Sequence, residues 1–332
     1  MITLKDIAQR AGVTATTVSR VINNRGYISE ETRRKVYEVM EEMHYQPNEL
    51  ARAFSRQYTS TIGLIVPHIT HPFFTKVISN MESAAADKGF KLLLCNSKEQ
   101  PEKEKDYLDL CMSNRVAGIV LCSKYIQTQE FHKMHIPVVN LERGDDDGTI
   151  SVQCDNYQGG RMAAEHLIKC GCKSLLHFGG IKGKDMPADR RADAFSDVCK
   201  KAGIPYRVLV SDRLLYGSMH YEEFISKALL EYPDVDGIFA SSDLIASQVI
   251  QVCAQMGKKV PEDIQLIGFD DVMISTVTTP QITTIHQPVE EMTELCVEYI
   301  TKILNNKSVP QKIVLPVRLV QRESTVMKET ER

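Results

Sequence analysis

No run of apolar residues in this 332-residue sequence approaches the ~18 that suggest a membrane span. No charged-then-apolar leader precedes the first motif, so the cytoplasm is the expected compartment. An excess of one charge is also missing: 40 basic against 43 acidic side chains leave a net −3, which excludes a chain that is basic throughout. The signatures of catalysis are absent too. The nearest approach to a phosphate loop, GGIKGKD (Gly179 to Asp185), is one residue short of the required spacing and ends in Asp where a hydroxyl is needed. No G-x-G-x-x-G follows a strand and no G-x-S-x-G occurs, so an enzyme is not expected. Cys170-Gly-Cys172 has no second close pair, and His132-x-x-His135 lacks the glutamate of a zinc-protease helix, so neither a metal nor a cofactor is expected. The nine cysteines are odd in number and sit in apolar contexts such as KLLLCN and GIVLCS, which reads as buried thiols and not as a disulfide framework.

What is present begins at residue 3. Thr3 to Asn23 reads as two short helices joined by a tight turn. Leu4, Ile7, Ala8 and Ala11 recur at helical spacing and share one face. Thr3 and Asp6 form a capping-box-like start, and Gly12 ends the helix where a left-handed backbone costs least. Thr14 caps the second helix, Ala15 to Ile22, which buries Val18, Val21 and Ile22. Ala15, Thr16, Thr17, Ser19, Arg20 and Asn23 are left to meet something polar. Small side chains, hydroxyls and one arginine suit a major groove, where Arg20 can fork onto guanine O6 and N7. A third helix, about Glu30 to His44, is capped by Ser29 and completes a small core. Residues 1–60 carry nine basic and seven acidic side chains, so the head is mildly basic and the acidic excess falls on the remainder.

Pro47 closes that helix, and Glu49 to Arg56 reads as a short segment whose Leu50 and Phe54 share one face. It serves either as a linker or as a helix that forms on DNA and wedges into the minor groove. From Thr61 onward, continuous apolar strands alternate with amphipathic helices in two similar series. This predicts two doubly wound parallel-sheet lobes with a ligand cleft beyond the strand ends. The expected domains are a helix-turn-helix head over 1–47, a hinge over 48–60, and an α/β body over 61–332. Within the body, lobe 1 is expected over about 61–147 and 280–308, and lobe 2 over about 148–279 and 309–332.

TLKDIAQRAGVTATTVSRVIN, YQPNELARAF, TSTIGLIVP, HPFF, GFDD and TTIHQP, in this order and spacing, resemble the lactose-repressor (LacI) family of bacterial transcription regulators across the whole chain. The resemblance implies a periplasmic-binding-protein-like body and a homodimer on pseudo-palindromic double-stranded operator DNA, with a small-molecule effector in the cleft. It places Ala15, Thr16 and Arg20 at base edges and Thr3, Thr14, Thr17, Ser19 and Asn23 at phosphates. Phe54 takes the place of the family's usual leucine wedge. In the cleft it marks Arg191 and Asp270, a forked donor and a two-oxygen acceptor able to grip vicinal hydroxyls. Ser242 stands where many sugar-responsive members have Asn. Gln287 is either a structural residue of the lobe crossover or a ligand contact, and His71 shares the loop of Phe73. Phe73 and Phe74 are either core or an apolar wall, while Asp155 and Asn156 read as helix caps. CNSKEQPEKEKDYLDL, DNYQGGRMAAEHL and LPVRLVQREST resemble repressors of sucrose and related sugar operons. After the last strand only MKETER remains, without leucine heptads, so a dimer is the expected assembly. Four functions stay in competition: a repressor sensing a sugar or sugar phosphate, the same architecture sensing a purine or nucleoside, a stand-alone sugar-binding protein, and an enzyme on doubly wound lobes.

Overall fold

The computed structural model describes residues 2–22, 26–45, 58–123, 136–143, 149–181 and 186–327. It separates into two compact units, Met1–Ser60 and Thr61–Arg332. The segment 46–57, with the expected Glu49–Arg56 helix and Phe54, lies outside the described residues, as does Asn23.

In the first unit, α1 (Leu4–Ala11), α2 (Ala15–Ile22) and α3 (Glu30–Glu42) close one core. The capping box is complete. The Thr3 amide donates to Asp6 Oδ2 at 2.7 Å, and the Asp6 amide donates to the Thr3 hydroxyl at 3.4 Å. Gly12 ends α1 at φ 67°, a backbone that a side chain would strain. Thr14 Oγ1 accepts the Thr17 amide at 3.1 Å, and Ser29 Oγ accepts that of Thr32 at 3.3 Å. Ile7, Val18, Val21 and Val36 are fully buried at the centre. Burial stabilises the unit by about 1.5–3 kcal/mol for each such side chain, which is what lets three short helices hold together. The exposed Arg10–Glu42 ion pair (2.6 Å) between α1 and α3 adds little.

The second unit holds two six-stranded sheets. The first, in the order β11-β5-β4-β3-β1-β2, is parallel throughout: β1 is Thr61–Val66, β2 Lys91–Asn96, β3 Gly118–Leu121, β4 Val138–Leu141, β5 Ile150–Cys154 and β11 Lys312–Leu315. The second runs β12-β10-β9-β8-β6-β7: β6 is Leu175–Ile181, β7 Tyr206–Ser211, β8 Gly237–Ala240, β9 Gln265–Asp270, β10 Thr283–His286 and β12 Arg318–Val320. Its edge strand β12 is antiparallel to β10, because no helix intervenes between β11 and β12 to return the chain. Helices α4 (Pro72–Asp87), α5 (Pro101–Ser113) and α12 (Val289–Leu304) cover the first sheet; α6 (Asn156–Lys169), α7 (Arg190–Ala202), α8 (Arg213–Ser218), α9 (Glu222–Glu231) and α10 (Asp243–Gln255) serve the second, and the short α11 (Ile274–Val277) follows β9. All nine cysteines are buried thiols.

The expected lobe boundaries need correction. β5 belongs to the first sheet, so the chain leaves lobe 1 after Cys154 and not near residue 147. β10 pairs with β9, so residues 283–286 stay in lobe 2, and the return to lobe 1 comes only with α12. β11 pairs with β5 in lobe 1, and only β12 crosses to lobe 2. The reason is general: a buried parallel strand shows the same apolar run whichever sheet it joins.

Candidate functional site

On α2 of the head, Thr16 and Arg20 are exposed and Ser19 is half-buried. Thr14 and Thr17 share a hydroxyl contact of 2.9 Å, and the Thr3 hydroxyl lies 2.8 Å from Asp6 Oδ2. Ala15 departs from its expected outward position. It packs half-buried against the helical core, since positions 15, 18 and 22 fall on one face.

In the body, the carboxyl ends of both sheets surround a cavity of about 870 Å³, at the upper end of small-molecule sites. Arg191, Asp270, Ser242, Gln287, His71 and Phe73 all line it, so the cavity brings together every effector residue expected from the sequence. Arg191 lies in the first turn of α7 and is buried. Its Nε donates to Asn156 Oδ1 and its Nη1 to the Ser241 carbonyl, both at 2.7 Å. Its guanidinium lies 3.5 Å from the Phe269 ring centroid. A stacked, twice-bonded guanidinium is fixed before any ligand arrives.

Asp270 ends β9 at φ 112° and Asp271 follows at φ 54°, both in the left-handed region where non-glycine residues are strained. The turn is tied down from several sides. Gln287 Nε2 donates to Asp270 Oδ1 at 2.6 Å. Arg322 and His286 hold the Asp271 carboxylate at 2.5 and 2.8 Å. Lys76, from α4 of the other lobe, donates to the Asp271 carbonyl at 2.9 Å. Burial lifts the Asp270 carboxyl to about 7, opposed by Arg191 and the Gln287 amide. Burial works on Asp271 in the same direction, but the bonds from Arg322 and His286 outweigh it and keep that carboxyl low.

His71 caps α4 by accepting the Phe73 amide at Nδ1 (3.3 Å). Burial, with His68 and Arg191 nearby, lowers its pKa to about 4, so the ring is neutral and carries its proton on Nε2. Phe73 and Phe74 are both core and wall: buried, edge-to-face at 5.1 Å, and lining the cavity. Ser242 caps α10, its Oγ accepting the Ile245 amide at 3.3 Å. Asp155 caps α6 as expected (Gln158 amide, 2.8 Å), whereas Asn156 does something else. Its Nδ2 donates to Glu142 Oε2 at 2.9 Å while its Oδ1 receives Arg191, so it joins the two lobes.

Glu142, at the end of β4 with φ 53°, escaped the sequence reading. It is buried, lines the cavity, and accepts the Cys154 amide at 2.5 Å. Burial raises its pKa against the pull of Arg191 and Asn156. His177 of β6 was missed as well. It stacks on Phe239 at 4.5 Å and bonds the Phe239 carbonyl at 2.8 Å, and burial lowers its pKa to about 4. The only available signals were a carboxylate ending one apolar strand and an imidazole inside another. Among the described residues, no cluster of His, Cys, Asp or Glu could hold a metal ion, and no helix is long and apolar enough to cross a membrane.

Residues 3–48 match the model of the bacterial regulatory proteins of the lacI family, and residues 164–325 match that of the periplasmic binding protein-like domain. Over 329 residues, covering 98% of this chain and 97% of the relative, the sequence is 34% identical to the ribose operon repressor of Halalkalibacterium halodurans. The chain belongs to the lacI family of bacterial regulatory proteins. It is 35% identical to the sucrose operon repressor of Streptococcus mutans, over 97% of this chain and 98% of that one. The crystal structure of a periplasmic binding protein/LacI transcriptional regulator from Alkaliphilus metalliredigens, complexed with D-xylulofuranose, superposes with a TM-score of 0.73. The two are 33% identical, over 81% of this chain and 100% of that one. Family membership makes the chain a DNA-binding transcriptional regulator and not an enzyme.

Proposed function

We propose that the protein represses a sugar-utilisation operon from the cytoplasm, as a homodimer on a pseudo-palindromic operator, and that a sugar in the interlobe cavity sets its operator affinity. Residues 1–47 read the DNA, 48–60 form the hinge, and 61–332 bind effector and dimerise. On α2, Arg20 and Thr16 read base edges, with Ala15 a minor contributor because its methyl is half-turned to the core. Thr3, Thr14, Thr17, Ser19 and Asn23 hold phosphates, and Phe54 is the minor-groove wedge.

The observation that carries the sugar reading is the pre-set Arg191 guanidinium sharing one cavity with Asp270. The Nη hydrogens that Arg191 has left and a two-oxygen acceptor match adjacent hydroxyls, and the Phe73 and Phe74 rings offer an apolar wall to a ring face. The link between effector and lobes has a physical basis. Glu142 of lobe 1 is joined through Asn156 to Arg191 of lobe 2, so a ligand gripping Arg191 also acts on the segment linking the lobes.

The test is a thermal-shift screen of the full chain against sugars, purines and nucleosides, followed by operator titrations with each hit. A ligand at ~100 Kd contributes about 2.7 kcal/mol to the folded state. A sugar that raises the melting temperature, changes operator affinity and loses both effects in Asp270→Ala supports the reading. A purine or nucleoside hit in its place overturns the choice of sugar.

A further inference from the structure

We infer that this cavity selects an uncharged, polyhydroxylated sugar and rejects the corresponding phosphate ester. The inference rests on the sugar reading above and narrows it.

The first argument is charge. Among the described residues, the cavity is lined by five carboxylates, on Glu99, Glu142, Asp189, Asp193 and Asp270, against two guanidiniums, on Arg191 and Arg213. Neither cation is idle. Arg191 has given its Nε and one Nη1 hydrogen to Asn156 and Ser241, which removes the side-on fork that grips a phosphate best. Arg213 donates to the Glu99 carbonyl. The two buried imidazoles add no positive charge, since burial keeps both His71 and His177 neutral. A dianionic ester entering this cavity meets more carboxyl groups than guanidiniums among the described lining residues, although burial raises the pKa of two of them, Glu142 and Asp270.

The second argument is hydrogen bonding. Gln287 is almost wholly buried; its Nε2 is spent on Asp270, and its Oε1 is buried without a partner. Ser123 Oγ, at the end of β3, is likewise buried without a partner and lines the same cavity. An unmet buried acceptor costs ~1–3 kcal/mol, so the natural complement of Gln287 Oε1 is a ligand that donates, while Ser123 Oγ can meet a hydroxyl in either direction. A hydroxyl group donates to Gln287 Oε1 or to an Asp270 oxygen while accepting from the remaining Arg191 amino group or from His71 Nε2–H. The phosphoryl group of an ester is acceptor-only near neutral pH, so it cannot make the bond to Gln287 Oε1 or to an Asp270 oxygen that the hydroxyl it replaces would make. The arrangement is complementary to hydroxyls in both directions.

The experiment is calorimetric titration of the full chain, at fixed ionic strength, with matched pairs: ribose and ribose 5-phosphate, fructose and fructose 6-phosphate, sucrose and sucrose 6-phosphate. We expect the neutral member of the recognised pair to bind at least roughly 100-fold more tightly. Glu142→Gln keeps an acceptor oxygen for the Cys154 amide but removes one charge, and the neutral-to-phosphate ratio should then fall roughly tenfold. Equal or tighter binding of a phosphate ester overturns the inference and leaves the sugar sensor standing. A ratio unmoved in Glu142→Gln overturns its electrostatic basis. Binding of no member of either class overturns the sugar reading itself.

Discussion

Gly160 sits on α6 against the backbone of Arg191, and its replacement by alanine is the most direct test of how the effector arginine is placed. A β-carbon at Gly160 would lie 2.2 Å from the Arg191 carbonyl oxygen and 2.8 Å from its Cα. Real β-carbons essentially never come within 3.0 Å of another heavy atom, so α6 and α7 must part by roughly 0.8 Å. Both opposing atoms are backbone, so no rotamer change relieves the clash. Overpacking of this kind costs ~1–3 kcal/mol, and the better helix propensity of alanine returns about 0.8–1 kcal/mol. A net loss of up to about 2 kcal/mol lowers the melting temperature by up to about 4–8 °C for a body of this size. The displacement also pulls Arg191 from Asn156 and Ser241, so effector affinity should fall at least about tenfold, because such a site tolerates only ~0.5 Å. Gly217→Ala is the control: nothing lies within 4 Å of its would-be β-carbon, and it should be neutral or slightly stabilising. Calorimetric melts and effector titrations of the two variants decide the matter. A Gly160→Ala protein that melts and binds like the parent would refute the close approach on which the placement of Arg191 depends.

Other expectations follow from the same geometry. The Asp270 carboxyl, raised to about 7 by burial, binds its proton more tightly folded than unfolded, so it favours folding at low pH and loses that contribution as pH rises through about 7. Asp270→Asn should therefore stabilise the unliganded chain more at pH 8 than at pH 5, by about 2–3 kcal/mol, while abolishing effector binding; equal gains in urea melts at the two pH values would contradict this. Lys76→Met removes the bond from α4 to the Asp271 carbonyl across the cleft. It should weaken effector binding severalfold with a melting change under ~1 kcal/mol, read by titration and thermal shift. Arg20→Ala should cost ~1–3 kcal/mol at the preferred operator and flatten discrimination among operator variants, measured by competition binding. Thr14→Ala should destabilise the head by about 0.5–2 kcal/mol through loss of the α2 cap, seen as a lower melting point for residues 1–60 within the full chain.

The sequence was most legible where a short-range rule applied. Thr3 with Asp6, Gly12, Thr14 and Ser29 each occupy a helix end and do there what their chemistry suggests. Gly89, Gly171 and Gly203 follow their helices with positive φ, and Arg191 and Asp270, separated by most of lobe 2, meet in one cavity. Legibility failed where the deciding partner is distant. The sheet membership of β5, β10 and β11 depends on which edge is free, and no local pattern records that. Glu142 gave no signal because its partners, the Cys154 amide and Asn156, lie at the far end of the next strand and just past it. Gly159 and Gly160 are small because of Phe269 and the Arg191 backbone, contacts that helical periodicity does not reveal. Asn156 looked like a cap from its position, yet its amide bridges a carboxylate and a guanidinium.

The late strands have a consequence for synthesis. While the chain emerges, β5 exposes an unpaired edge until residues 312–315 are made, and β10 does so until residues 318–320 follow. Two parallel sheets, each nearly complete, thus wait for a few residues near the end of the chain, with edges that invite pairing to the wrong partner. Neither lobe corresponds to a continuous stretch of gene, so a ribosome that stops before residue 312 releases two unfinished sheets and not one finished lobe. Every described residue that lines the effector cavity, from Pro67 to Gln287, is made before the strands that close the two sheets around it.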